Sequence, residues 1–334
     1  MEENFPSVPS FPMVYFLPDS IYVRELNCTS VKGPMARLPG KISERSYYDY
    51  FPPNAHAPGD VWMHLPTHGL LRRQSASGIV VTPSCDLSNR KVSTITYLPI
   101  IPFLDWVSCR DFLPEIVGSM LSLVEQLASL GISSTSAFND TEVLSADLSE
   151  QMNSLEQKLA TEKISKPVRQ ASQRYLSGGK HLERVRKGEL ADIRDVEICL
   201  TANRWEKLKN QVINNGFRAD LHFLPADENE PDMSPVLKHS VVLFRYPLTA
   251  PVAILDSAQD PSLSDWPTAL KTLATIEPMA LAFSDSRPLK CLRLRDRFLS
   301  DLLTRFVALY SRLGSPDFSH ETAKAISKEL GVSK

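Results

Sequence analysis

Residues 59–102 read GDVWMHLPTHGLLRRQSASGIVVTPSCDLSNRKVSTITYLPIIP, and the strand pattern of the chain is concentrated there. Three runs in it, 60–64, 78–82 and 93–101, are rich in apolar and β-branched residues, as strands buried on both faces are. Asn89 lies between the second and third runs and suits a turn. The stretch therefore predicts three consecutive β-strands around one apolar interior.

Composition and charge restrict the class of protein. The chain has 334 residues, is 43% hydrophobic and carries a net charge of −2, so only a local basic surface would bind nucleic acid. Its five cysteines are scattered without a CxxC pair. No run approaches the ~18 apolar residues of a membrane helix, and the first residues do not show the basic start and unbroken apolar core typical of a signal peptide. We expect a cytoplasmic protein with reduced thiols, no membrane contact and no cofactor.

Short motifs follow one another in this stretch in a recognisable order. They are Gly59-Asp60, Pro66-Thr67, GIVVTPS at 78–84, Asn89 and TITYLPI at 94–100. This order resembles the opening of the PemK/MazF-like endoribonuclease toxins. The resemblance covers residues 59–102 only, and it implies an SH3-like barrel that contacts RNA in a toxin or phage-defence system.

The sequence departs from that family at the positions that carry its chemistry. The family has an Arg immediately before the Pro of its second strand, which stabilises charge on the scissile phosphate. This chain has Ala76 and Ser77 there, while Arg72 and Arg73 lie a few residues earlier and could reach the same groove. Ile100 stands where the family has a hydroxyl residue. Arg73 is therefore the candidate catalytic cation.

Strand and helix signals along the whole chain predict an α+β protein with an SH3-like β-barrel, a mostly helical insertion and a C-terminal helix. The expected segments are a Pro- and aromatic-rich arm (1–58), the first part of the barrel (59–108), a helical insertion with a basic arm (109–215), returning strands that complete the barrel (216–290) and a C-terminal helical segment (291–334). Helices are predicted at 111–130, 142–160, 192–214 and 295–313, and later strands at 218–224, 240–246 and 252–255. The arm's aromatic residues at 47–51 are expected to pack it onto the body, and the alternative is that they form a recognition surface.

Cys85 and Asp86 directly follow the second strand and offer three alternatives. A nucleophilic thiolate needs a neighbouring base, so His68 as base and Asp86 as its orienting group would make a cysteine-dependent hydrolase. With His64, the same side chains are of the types that bind zinc. The favoured interpretation is structural, with Asp86 capping the turn 84–89 through backbone amides. No metal site is predicted.

Residues 163–187 form the most basic stretch. Such side chains bind phosphates, and Gly178–Gly179 would interrupt the stretch and let its backbone approach a ligand, with Tyr175 and His181 interleaved. The candidate nucleic-acid contacts, to RNA or DNA, are Lys180, Arg184, Arg186 and Lys187, together with Arg72 and Arg73. The alternative is a solvated face of an exposed helical arm.

A narrow leucine stripe on helix 142–160 suggests a partner helix. Leu144, Leu148, Met152, Leu155 and Leu159 recur at four- and three-residue spacing. The partner could belong to this chain or to a second copy. The sequence thus leaves a non-catalytic interaction module, or a homo-oligomer, as the second hypothesis for function.

Overall fold

A computed structural model describes residues 47–50, 52–69, 74–133, 146–227, 236–311, 319–322 and 324. These residues form a mixed α and β structure, as predicted, with one antiparallel sheet. The strands are β1 (Tyr48–Tyr50), β2 (Asp60–Pro66), β3 (Ser75–Val80), β4 (Thr94–Pro102), β5 (Leu221–Leu224), β6 (Ser240–Leu243), β7 (Leu248–Pro251) and β8 (Leu289–Leu294).

The strand order is β1-β8-β2-β3-β4-β6-β5, and β7 pairs with the first half of β4. The three strands predicted from residues 59–102 are adjacent, and the later strands β6 and β7 pair with β4. The single apolar interior expected for these strands is wrong, because each face of the sheet has its own apolar cluster. The end strands β1 and β5 do not pair with each other in the described part of the chain. The sheet there is open, so the closed barrel that we expected is not formed by these strands.

Alternating side chains give the sheet two buried faces. Successive strand residues point to opposite sides, so Trp62 and Val80 lie in one apolar cluster while their neighbours Val61 and Ile79 lie in another. Both clusters consist of residues that are almost fully removed from water. This double burial explains why β2, β3 and β4 read as continuous apolar runs.

Helices cover both faces and one end of the sheet. They are α1 (Ser84–Ser88), α2 (Phe103–Val107), α3 (Leu113–Leu121), α4 (Val124–Leu127), α5 (Ala146–Thr161), α6 (Lys166–Lys187), α7 (Ile193–Leu200), α8 (Ala202–Ile213), α9 (Val252–Gln259), α10 (Trp266–Ala274) and α11 (Asp296–Tyr310). The first face packs against α9 and α10 and the second against α11. Helices α2 to α8 share a third apolar cluster, which reaches the sheet at Ile101, Val241 and Leu243.

Three element predictions are corrected by the structure. The helix expected at 192–214 is divided at Thr201 into α7 and α8. The helix expected at 111–130 is divided into a 3-10 turn, α3, α4 and a second 3-10 turn, and it ends at Gly131 with φ 82° as predicted. The strand expected at 252–255 is instead the start of α9, and β7 precedes it. A short apolar run has no periodicity that separates a strand from a buried helix.

A buried ion-pair network joins the helical cluster to the sheet. Arg218 Nη2 donates to Asp111 Oδ1 at 2.9 Å, and Arg218 Nε donates to Asp220 Oδ1 at 2.9 Å. Trp106 Nε1 also donates to Asp111, at 2.7 Å. These partners raise the pKa of Arg218 and outweigh the opposite effect of burial. The fork geometry of the guanidinium fixes both carboxylates at once.

The leucine stripe of α5 meets a helix of the same chain. Leu148, Met152 and Leu155 are buried in the helical cluster, and α5 packs against α6. Of the two partners that the sequence allowed, the intramolecular one is therefore found, and these three side chains are not free to contact a second copy. Residues 142–145 of the predicted helix lie outside the described residues.

The aromatic residues at the end of the predicted arm pack onto the body. Tyr48 is 1% exposed and its hydroxyl donates to the Pro225 carbonyl at 2.7 Å. Tyr47 stacks on Phe298 of α11 with ring centroids 3.7 Å apart. Phe51 and residues 1–46 lie outside the described residues. Among the described helices, none combines the length and the apolar character that crossing a bilayer requires.

Candidate nucleic-acid interface

Helix α6 contains most of the basic stretch as one continuous helix of 22 residues. The interruption predicted at Gly178–Gly179 is wrong, because both glycines lie inside the helix and are buried. A Cβ on Gly178 would lie 2.6 Å from Met120 Cγ of α3 and 2.9 Å from Cys199 Sγ of α7. A Cβ on Gly179 would overlap the Met152 sulfur of α5. The glycines thus allow close helix packing and do not contact a ligand.

The two rings in the basic stretch belong to the core. Tyr175 and His181 are both 0% exposed. Burial raises the pKa of Tyr175 to about 12, and its hydroxyl donates to Gln151 Oε1 at 3.2 Å. Burial, with a smaller contribution from Arg184, lowers the pKa of His181 to about 4, so this imidazole is neutral near pH 7. Neither ring is available to stack on a base.

The opposite side of α6 is a basic surface, which we call the cationic face. It consists of Lys166, Arg169, Lys180, Arg184 and Lys187. Their spacings of 3, 11, 4 and 3 residues place all five on one side of a helix with 3.6 residues per turn. Arg184 is half-buried and the other four are exposed. From the first to the last, the face is about 31 Å long at 1.5 Å per residue.

The charges of the cationic face are largely unpaired. Lys180 Nζ lies 3.5 Å from Glu156 Oε1, and both side chains are about half exposed. Such surface pairs contribute about 0–1 kcal/mol, so a stronger anion can replace Glu156. In the described part of the chain, no ion pair engages the other four cations. The face therefore presents a concentrated positive charge on a protein whose net charge is slightly negative.

Three of the predicted contacts lie on this face and one does not. Lys180, Arg184 and Lys187 are brought together by the helix, whereas Arg186 follows Arg184 by two residues and points about 200° away from it. Arg72 and Arg73 lie outside the described residues. Lys166 and Arg169, which the prediction omitted, could have been found by counting helical spacing through the glycine pair.

The Cys85 corner forms an exposed short helix, α1. The Cys85 thiol donates to Asp86 Oδ1 at 3.6 Å, and Asn89 Nδ2 donates to the Cys85 carbonyl at 2.6 Å. The Asp86 carboxylate makes no capping hydrogen bond to the backbone of α1, and Pro83 is the N-cap. The predicted capping role of Asp86 is therefore wrong, and the turn is closed by backbone groups and Asn89.

His68 and Cys85 are placed at opposite ends of β3. Ser75, at the start of β3, pairs with Pro66, and His68 lies two residues after Pro66. Cys85 follows the other end of the strand, where Gly59 N donates to the Val80 carbonyl. The strand β3 rises about 17 Å from its first residue to its last, so the loops that carry His68 and Cys85 are separated by about that distance. No hydrogen bond joins Cys85 to His68 or His64 in the described ranges, and no metal-binding group of three side chains occurs among them.

A second cluster of charges, which no sequence pattern indicated, surrounds Lys290. Its ammonium donates to the carbonyls of Pro53 and Asn54, both at 2.9 Å, and lies 3.3 Å from Asp60 Oδ2. Arg293 Nε donates to Asp60 Oδ1 at 2.6 Å. Burial lowers the pKa of Lys290, while the Asp60 carboxylate opposes this change. The cluster fixes the loop before β2 and leaves the cationic face as the best candidate for ligand contact.

Comparison with known proteins returns no match. No family model, curated protein or solved structure matches this chain.

Proposed function

We propose that this protein contacts nucleic acid, and that it does so by binding the phosphate backbone with the cationic face of α6. The observation that carries the proposal is the alignment of Lys166, Arg169, Lys180, Arg184 and Lys187 on one side of α6, where four of them are exposed and Arg184 is half-buried, with a single weak ion pair among them.

Phosphate binding follows from the charge and the side-chain types of this face. Lysine and arginine side chains neutralise phosphates and release the counterions condensed on the nucleic acid. The other sides of α6 are packed against α3, α5 and α7, so the helix presents its cations from a fixed platform. Because contacts to phosphates carry no base information, the expected binding does not depend on sequence.

We further propose that β2, β3 and β4 correspond to the first strands of a PemK/MazF-like, SH3-like barrel, and that the protein acts in the cytoplasm in a toxin or phage-defence system. The resemblance of residues 59–102 and the adjacency of these three strands support this proposal. Since Cys85 has no histidine partner in the described residues, the proposal is binding without cysteine-dependent hydrolysis.

The test is the salt dependence of nucleic-acid affinity. The variant Arg169→Gln/Arg184→Gln/Lys187→Gln removes three charges from the face, and glutamine keeps a high helix propensity. The slope of log K against log salt concentration is expected to become shallower by about 2 to 3, since each lost phosphate contact removes 0.7 to 0.9. Fluorescence anisotropy with labelled oligonucleotides at several salt concentrations measures both slopes.

The matched control is Lys207→Gln/Lys238→Gln/Lys271→Gln. It removes the same charge from three exposed lysines that are not on α6. We expect its slope to equal that of the wild type. Absence of salt-dependent binding by the wild type, or equal losses in the two triple variants, would exclude the proposed function.

A further inference from the structure

We infer that the ligand of the cationic face is double-stranded rather than single-stranded nucleic acid. This inference rests on the proposed function and adds the class of ligand to it. Two features of α6 support this inference. The cationic face has no accessible aromatic ring, and its cations are divided into two groups.

Single-stranded nucleic acid is normally held by stacking. Proteins that bind it combine a basic groove with aromatic side chains, and each stacked base contributes favourably regardless of its identity. Helix α6 has two rings, Tyr175 and His181, and both are fully buried. The residues exposed between the cations are Gln170 and Gln173. The face therefore offers charge and amide groups but no surface for unstacked bases.

A duplex presents the complementary pattern, with bases hidden and phosphates in two parallel rows. It also has a high charge density, about one negative charge per 1.7 Å of axis. A surface that recognises only charge therefore gains more from a duplex than from a flexible single strand.

The cations are arranged in two groups along the helix. Lys166 and Arg169 form the first, and Lys180, Arg184 and Lys187 form the second. The 11 residues from Arg169 to Lys180 correspond to about 16 Å of helix. The phosphate rows that border the major groove of B-form DNA are separated by a groove about 12 Å wide, and the long Lys and Arg side chains bridge the difference.

The experiment compares the affinities of the full chain for one DNA duplex of 20 base pairs, for each of its separated strands and for a second duplex of unrelated sequence, all at the same salt concentration. We expect both duplexes to bind equally, and at least about tenfold more tightly than either strand, with a salt slope near −4.5 for five phosphate contacts.

A gain-of-function variant tests the reason for this preference. Gln173→Tyr adds a ring to the middle of the cationic face, and Gln211→Tyr adds one to an exposed position of α8 as a control. One stacked base should strengthen binding of the single strand to Gln173→Tyr by about fivefold or more, with no such gain in the control.

The outcomes separate the inference from the function on which it rests. Equal or tighter binding of the single strand, with both ligands weakened by the triple variant of the face, would overturn the preference for a duplex and leave nucleic-acid contact standing. No salt-dependent binding of any of the probes would remove the proposed function and this inference together.

Discussion

Substitution of Gly178 by alanine tests whether close helix packing is the reason for the glycine pair in α6. In an exposed helix interior, replacing Gly by Ala stabilises by about 1 kcal/mol, because glycine loses more backbone entropy on folding. At Gly178, however, the new Cβ would lie 2.6 Å from Met120 Cγ, 2.7 Å from Met120 Sδ and 2.9 Å from Cys199 Sγ. Comfortable carbon contacts are about 3.5–4.0 Å, so buried neighbours must move by about 1 Å.

Overpacking of this kind costs about 1–3 kcal/mol. After subtraction of the helix-propensity gain, we expect Gly178→Ala to lower the free energy of unfolding by about 0–2 kcal/mol. The matched control is Gly118→Ala in α3, where a Cβ has no atom within 4 Å. This control should raise the free energy of unfolding by as much as about 1 kcal/mol.

Urea unfolding at constant m-value measures both changes. The comparison should be repeated in a Met120→Ala background, which removes the two shortest contacts of the new methyl group and leaves the one with Cys199 Sγ. There, Gly178→Ala should cost less than in the wild type, and the difference is the coupling energy between the two positions. If Gly178→Ala stabilises the wild type as much as Gly118→Ala does, close packing is not what the glycine provides.

Three further predictions concern charge. Burial lowers the pKa values of His181 and His222 to about 4, so the unfolded chain binds more protons than the folded chain between about pH 6.5 and 4. The free energy of unfolding should therefore fall as pH is lowered across that range, by about 3 kcal/mol for each histidine. Urea unfolding of the wild type and of His181→Phe at pH 7 and 5 measures this loss, and an unchanged pH dependence in the variant contradicts it. Glu156→Gln releases Lys180 and should tighten nucleic-acid binding by about two- to fivefold at low salt, measured by anisotropy; weaker binding would contradict a competing role for Glu156. Lys290→Met leaves the buried Asp60 carboxylate with fewer opposing charges and should lower the free energy of unfolding in urea by about 3–5 kcal/mol. A loss below about 1 kcal/mol would show that the cluster does not stabilise the loop before β2.

Local sequence patterns correctly predicted the strands and helices whose formation depends mainly on neighbouring residues. The apolar runs of β2, β3 and β4 are strands because their residues are buried on both faces of the sheet. The C-terminal helix predicted at 295–313 is found as α11, and its Leu302 is buried. These predictions needed only side-chain periodicity and propensity.

The same patterns failed where packing overrides propensity. Gly178–Gly179 suggested a break because glycine destabilises an isolated helix, yet α6 continues because neighbouring helices need the space. This error also hid the cationic face, because the spacing of its cations has meaning only on an unbroken helix. The separation of His68 from Cys85 was accessible in principle, since successive hairpin connections lie at opposite ends of their shared strand.

The sequence by itself determined that this chain has an apolar three-strand unit, a basic stretch and a final amphipathic helix, because each follows from neighbouring residues. Only the tertiary structure decided which of those residues meet. Lys290 and Asp60 are 230 positions apart and share one ion pair, and the cations of α6 face outwards because its rings and glycines are committed to the core. Which side of a helix is buried depends on the elements that pack against it, and local sequence patterns do not show which elements those are.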